Sequence, residues 1–281
     1  MSLKITKAIV SVDWLKSNLG NENLIILDCT ISKVTSQKKS SKTNNKKQIK
    51  GAVFFDIKNV FSDKKAAFPN TILSSIDFEI KARDIGISKD SIIVVYDSLG
   101  IYSSPRVWWM FQLMGFPNVA VLDGGLPEWK ANNFPVEKPM IQKLKKGNFK
   151  VDYQPEKLKH TDDVLNSIAN KGVVIVDARS SGRFYGTAPE PRDDLKSGHI
   201  PNSVNLPFVD VQQNGKMKSA EELLEIFGDF KNKKEIVFTC GSGITAAILA
   251  LGAAIVKVKN VAVYDGSWTA WGSTQNLPVS L

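Results

Sequence analysis

The chain has 281 residues, 43% hydrophobic and 23% charged, a globular balance with room for two domains. No apolar run approaches the ~20 residues of a membrane span. The N-terminus "MSLKITKAIVSVDWLK" shows no signal-peptide pattern, and two cysteines make no disulfide framework, so a soluble protein of a reducing compartment, the cytoplasm, is expected. The net charge of +9 does not point to nucleic acid: seven of these charges are lysines between Lys33 and Lys50, in a polar loop-like segment without arginine or aromatic residues to stack a base.

In chain order, short apolar runs alternate with helical patterns. "LIILDCT" (24–30), "IIVVYD" (92–97) and "NVAVLDG" (118–124) read as buried strands, each bounded by turn residues. The polar stretch "EKPMIQKLKKGNFKVDYQPE" (137–156) carries two prolines and reads as a linker. Beyond it, "VVIVDA" (173–178) is a strand, and "SAEELLEIFGDF" (219–230) a helix with Ser219 as its cap. "EIVFTC" (235–240) is a second strand, "ITAAILALGAAI" (244–255) a second helix, and "NVAVYDG" (260–266) a third strand.

These segments repeat. "NVAVLDGGLPEW" (118–129) recurs as "NVAVYDGSWTAW" (260–271), and "IIVVYD" as "EIVFTC". "LIILDCT" resembles "VVIVDAR" (173–179), and "QIKGAVFFDI" (48–57) resembles "HIPNSVNLPF" (199–208), all in the same order. We therefore expect two homologous α/β domains, 1–138 and 157–281, joined by a linker at 139–156. Each should hold a parallel sheet covered by helices.

Chemistry concentrates at "TCGSGITAA". Cys240 ends a strand and opens a loop leading to a helix, the place where parallel α/β sheets put their ligands. Gly241 and Gly243 permit a tight turn, so successive loop N–H groups can form an anion nest beside a helix N-terminus. Such surroundings lower a cysteine's pKa from ~8.5 to as low as ~3.5–7.5, so Cys240 is expected to be a thiolate. In the first half, Asp97 stands at the equivalent position. Cys29 has no glycine loop after it and reads as structural.

Other uses of a cradled cysteine fit less well. A tyrosine phosphatase needs a phosphate-binding arginine where this chain has Ala246. A Cys–His hydrolase needs a base, and of the two histidines His199, in "SGHIPNSV", reads as structural. With two histidines and two cysteines a metal site is not expected. Thiolate attack on sulfur remains, with a persulfide as intermediate.

On these residues the chain resembles the tandem-domain rhodanese-type sulfurtransferases, and within them those using 3-mercaptopyruvate. The resemblance rests on "CGSGITA" (240–246), "DARSSGRFYGTAPEPRDDLKSGHIPNSVN" (177–205) and "PRVWWMFQLMGFPNVAVLDGG" (105–125). Thiosulfate-using members carry Arg-Lys after the cysteine, where this chain has Gly241 and Ser242. The resemblance implies a catalytically silent first domain, with Asp97 marking the lost cysteine.

The same resemblance implies Cys240 and Ser242 as catalytic residues, with Gly241, Gly243, Ile244 and Thr245 of the loop as substrate-binding residues. It implies that Arg183 and Arg192 hold the carboxylate of a 2-keto acid thiol donor. It further implies pyruvate as product, a thiol acceptor such as thioredoxin (or cyanide), and no cofactor. A thiosulfate sulfurtransferase and a persulfide carrier with little turnover are the alternatives. One departure stands out: the family's first-domain His before Ile-Pro-Gly, part of a proton relay, is matched here by Gln48. Proton delivery is then expected through water or Ser242.

Overall fold

The computed structural model describes residues 3–31, 46–140 and 144–281. Most of the lysine-rich segment therefore lies outside the described residues. The chain divides into two compact units: residues 1–62, 73–153 and 214–216 form the first, and residues 63–72, 154–213 and 217–281 the second. The division falls after Tyr153, and two short segments belong to the unit formed mainly by the other half of the sequence. Residues 144–153, inside the lysine-rich stretch read as a linker, pack within the first unit. Phe149 is fully buried there, against the rings of Phe78, Phe111 and Phe116.

The first unit holds a five-stranded sheet: β1 Ile9–Val10, β2 Leu24–Asp28, β3 Val53–Phe54, β4 Ile92–Tyr96 and β5 Val119–Leu122. Every pairing is parallel, in the order β1-β5-β4-β2-β3. The second unit holds β6 Leu158–Lys159, β7 Val173–Asp177, β8 Val204–Asn205, β9 Glu235–Thr239 and β10 Val261–Tyr264. Again all pairings are parallel, in the order β6-β10-β9-β7-β8. The two orders are the same topology, as the repeat requires. Both central strands are buried, β4 along its whole length, which suits their β-branched runs to sheets covered on both faces.

The helices after the central strands carry the strongest apolar signal. α3 (Ser104–Leu113) follows β4, and α8 (Ala246–Ile255) follows β9. Eight of the ten residues of α8 are buried, so it is apolar on all sides and lies inside the unit. Its small residues permit close packing: a Cβ added to Gly252 would meet the Phe227 ring at 2.9 Å. α7 (Ala220–Phe227) starts as expected, with a capping box between Ser219 and Glu222.

Around β10 the core of the second unit gathers Val164, Ile175, Ile200, Val237, Tyr264, Trp268 and Trp271, with Phe68 packed against it. The Tyr264 hydroxyl lies 2.9 Å from Thr161 Oγ1, and burial, its largest influence, pushes its pKa up to about 12. A pKa raised above the ~10 of an unfolded tyrosine stabilises the fold fully below that pH, and the contribution is lost as pH rises through the folded value. Denaturant unfolding in that alkaline range should show falling stability, with a shallower fall in Tyr264→Phe.

Candidate active site

Cys240 follows the last residue of β9 and is 1% exposed. Three successive carbonyls of its loop are held by donors outside the loop. Cys240 O accepts from Trp268 N at 2.9 Å, and Gly241 O accepts from Thr269 N at 2.9 Å and Thr269 Oγ1 at 2.7 Å. Ser242 O accepts from Asn70 Nδ2 at 3.2 Å. In a planar trans peptide the C=O and the following N–H point in opposite directions. Pinning these carbonyls therefore turns the N–H groups of Gly241, Ser242 and Gly243 the other way. From Gly241 to Ala246 no backbone N–H donates to a partner among the described residues. Gly243 closes the turn at φ +77°, a left-handed angle suited to glycine.

The first unit shows what such a loop does with an anion. Asp97, fully buried, folds its carboxylate into its own loop. Oδ2 accepts from the N–H groups of Tyr102, Ser103 and Ser104 at 2.8–2.9 Å and from Ser104 Oγ at 2.7 Å. Oδ1 accepts from Leu99 N at 3.0 Å. At the repeat spacing, Leu99, Tyr102 and Ser103 correspond to Ser242, Thr245 and Ala246, whose N–H groups have no such acceptor. The loop amides are thus satisfied by a fixed carboxylate in one unit, while their counterparts after the thiol have no acceptor among the described residues.

Ser267 is the polar side chain at the sulfur. Its Oγ lies 3.8 Å from Cys240 Sγ, accepts from Cys240 N at 3.2 Å and donates to Tyr264 O at 2.8 Å. Ser267 adopts φ +49°, and its counterpart in the first unit is Gly125 at φ +51°. A left-handed serine is strained where glycine is not, and such strain concentrates at functional positions. The sequence pattern alone did not mark Ser267; the Ser-for-Gly exchange between "DGSW" and "DGGL" was the available signal.

Arg183 ends beside this loop: a Cβ placed on Gly241 would lie 3.1 Å from its Nη2. Its Nε donates to both carboxylate oxygens of Glu190 at 3.1 Å, and Nη2 pairs with Oε2 as well. Nη1 has no hydrogen-bond partner among the described residues. Glu190 also accepts from Arg179 Nη1 at 2.8 Å. Arg179 is buried, tied to Asp177 and to Gly198 O, and lies 4.1 Å over the Trp268 ring. It is part of the framework.

The other expected residues divide. Ser242 and Thr245 are half-buried, and Gly243 and Ile244 are buried. Arg192 is half-buried in the following loop, and its guanidinium forms no ion pair among the described residues. His199 is structural: Nδ1 lies 3.0 Å from Phe184 O and the ring stacks on Phe184 at 3.9 Å. Gln48 bonds Ala52 O and Glu137 within the first unit. Cys29 is fully buried, and burial pushes its thiol pKa well up. Asn70, 172 residues from Ser242, escaped the sequence reading.

The rhodanese-like domain family matches residues 11–132 and 160–274. The chain belongs to the rhodanese-like family, in two copies. It is a sulfurtransferase. The thiosulfate/3-mercaptopyruvate sulfurtransferase 2 of Arabidopsis thaliana is 37% identical, over 99% of this chain and 87% of the relative. The human 3-mercaptopyruvate sulfurtransferase is 36% identical, over 96% of this chain and 93% of the relative. The crystal structure of SseA, the 3-mercaptopyruvate sulfotransferase of Escherichia coli, superposes with a TM-score of 0.82 at 32% identity, covering 94% of this chain and 99% of SseA. Another Arabidopsis relative, 36% identical over 99% of this chain and 79% of the relative, is mitochondrial by name. Among the described residues no helix is long and apolar enough to cross a membrane.

Two measurements follow from this site. Glu190→Gln removes one partner from a buried ionic cluster, which costs about 3–5 kcal/mol; chemical unfolding should show that loss, with weaker donor binding as Arg183 is freed. Ser267→Ala and Ser267→Gly both delete the hydroxyl that accepts from Cys240 N and should both slow sulfur transfer about 5-fold by loosening the placement of the thiol. The glycine variant, free of the left-handed strain, should be more stable than the alanine variant by about 1 kcal/mol in thermal unfolding.

Proposed function

We propose that this sulfurtransferase takes sulfur from 3-mercaptopyruvate and delivers it to a thiol acceptor through a persulfide on Cys240. The observation that carries the reading is the run of undonated amides from Gly241 to Ala246 beside the thiol, set against the filled loop of Asp97. In the first step the Cys240 thiolate attacks the donor's sulfur. The donor's C–S bond breaks, its electron pair leaves as the pyruvate enolate, and the enolate carbon takes up a proton. Arg183 receives the donor carboxylate on its Nη1 edge, while Glu190 holds the other edge of the guanidinium. Arg192 is assigned to the same anion.

The persulfide then carries a terminal sulfur whose negative charge the loop amides stabilise. A thiolate acceptor, such as that of thioredoxin, attacks this outer sulfur and restores the Cys240 thiolate. Ser242 or water supplies the proton to the enolate. No step requires a metal or an organic cofactor. Both cysteines are free, as in a reducing compartment. Gly241 and Ser242 directly after the cysteine support the keto-acid donor over thiosulfate.

Steady-state assays with both donors test this. Cys240→Ser should abolish transfer, and kcat/KM should favour 3-mercaptopyruvate. Arg183→Lys, which keeps the charge and loses the fork, should raise KM for 3-mercaptopyruvate by about 10-fold with a smaller effect on thiosulfate. Substantial turnover by Cys240→Ser would refute the nucleophile.

A further inference from the structure

We infer that Asn70 is a positioning residue for the catalytic loop, setting the direction of the amides that receive charge on the Cys240 sulfur. The inference rests on the function proposed above. Asn70 lies in residues 63–72, the piece of the sequence's first half that belongs to the second unit. That segment is fixed at several points. Phe68 packs against the core of the second unit, Thr71 Oγ1 donates to Phe68 O at 2.8 Å, Asp63 N donates to Thr71 O at 2.8 Å, and Ile72 N donates to Asp265 Oδ2 at 2.9 Å. Within it Asn70 turns at φ +62°, a left-handed angle that asparagine tolerates better than most residues.

The turn aims Nδ2 at Ser242 O, 3.2 Å away. The carbonyls of Cys240 and Gly241 are pinned by the first turn of α9 (Ser267–Ser273), through Trp268 and Thr269. Ser242 O is the third in the row, and this side-chain amide pins it. Because the peptide is planar, holding Ser242 O outward fixes the N–H of Gly243 inward. Gly243, free of a Cβ and already at φ +77°, is the position where the loop could most readily flip that peptide. Asn70 thus opposes the flip from outside the loop, without touching the sulfur.

Two variants separate this role from general stability. Asn70→Asp keeps the shape and the left-handed backbone but sets a carboxylate oxygen against the Ser242 carbonyl. Asn70→Gly keeps the backbone and removes the group. In the intact protein, single-turnover loading of sulfur on Cys240, followed by mass spectrometry, and kcat should fall about 10-fold in both variants. KM for 3-mercaptopyruvate should stay within about twofold, because Arg183 and Glu190 are untouched. Circular dichroism should be unchanged.

Wild-type loading rate and kcat in both variants would overturn the inference, as would a rise in KM with kcat intact. A wild-type protein that acquires no sulfur would overturn the function proposed above and this inference with it. Normal loading in the wild type and in both variants overturns this one alone.

Discussion

The chemistry of this chain depends on the direction of a few peptide planes. A β-strand delivers Cys240, and the next carbonyls are turned outward by donors from α9 and from Asn70. The amides behind them point the other way and have no acceptor among the described residues. Unpaired amides near the interior cost free energy, so a native fold keeps such a run where a ligand or charged intermediate will fill it. The arrangement suits a species that gains negative charge during the reaction: the dipoles are already oriented and do not reorganise when the charge arrives. Arg183, with one guanidinium edge on Glu190, adds a cation at the loop.

The duplication supplies its own comparison. Both units carry the same strand order and a left-handed glycine in the equivalent loop, Gly100 and Gly243. They differ in what enters the amide nest. Asp97 satisfies the nest in the first unit with a carboxylate that is covalently part of the fold. In the second unit the residue at that position is a thiol, and a strained Ser267 replaces the relaxed Gly125 of the other copy. One topology therefore carries a carboxylate folded into its loop in one copy and a thiol at the same position in the other.

Much of this was legible in the sequence, for physical reasons. The buried strands announced themselves by β-branched runs, the helix after Cys240 by unbroken apolarity, and the two copies by four motifs in the same order. Cys240, its glycines and the arginine-bearing loop are readable as candidates because they are local in sequence. What remained hidden is what depends on distant contacts. Asn70 sits in the unremarkable stretch "AAFPNTI", and nothing local shows that it reaches a carbonyl 172 positions away. The lysine-rich stretch at 144–153 looked like a linker by charge, yet Phe149 anchors it among aromatic rings.

The central claim is that the loop amides receive the charge carried on the sulfur of Cys240. A crystal structure of the protein loaded with sulfur from 3-mercaptopyruvate tests it most directly. The account predicts a second sulfur bonded to Sγ and lying within hydrogen-bonding reach of several N–H groups between Gly241 and Ala246. A loaded sulfur directed away from those groups, or found elsewhere than on Cys240, would contradict it.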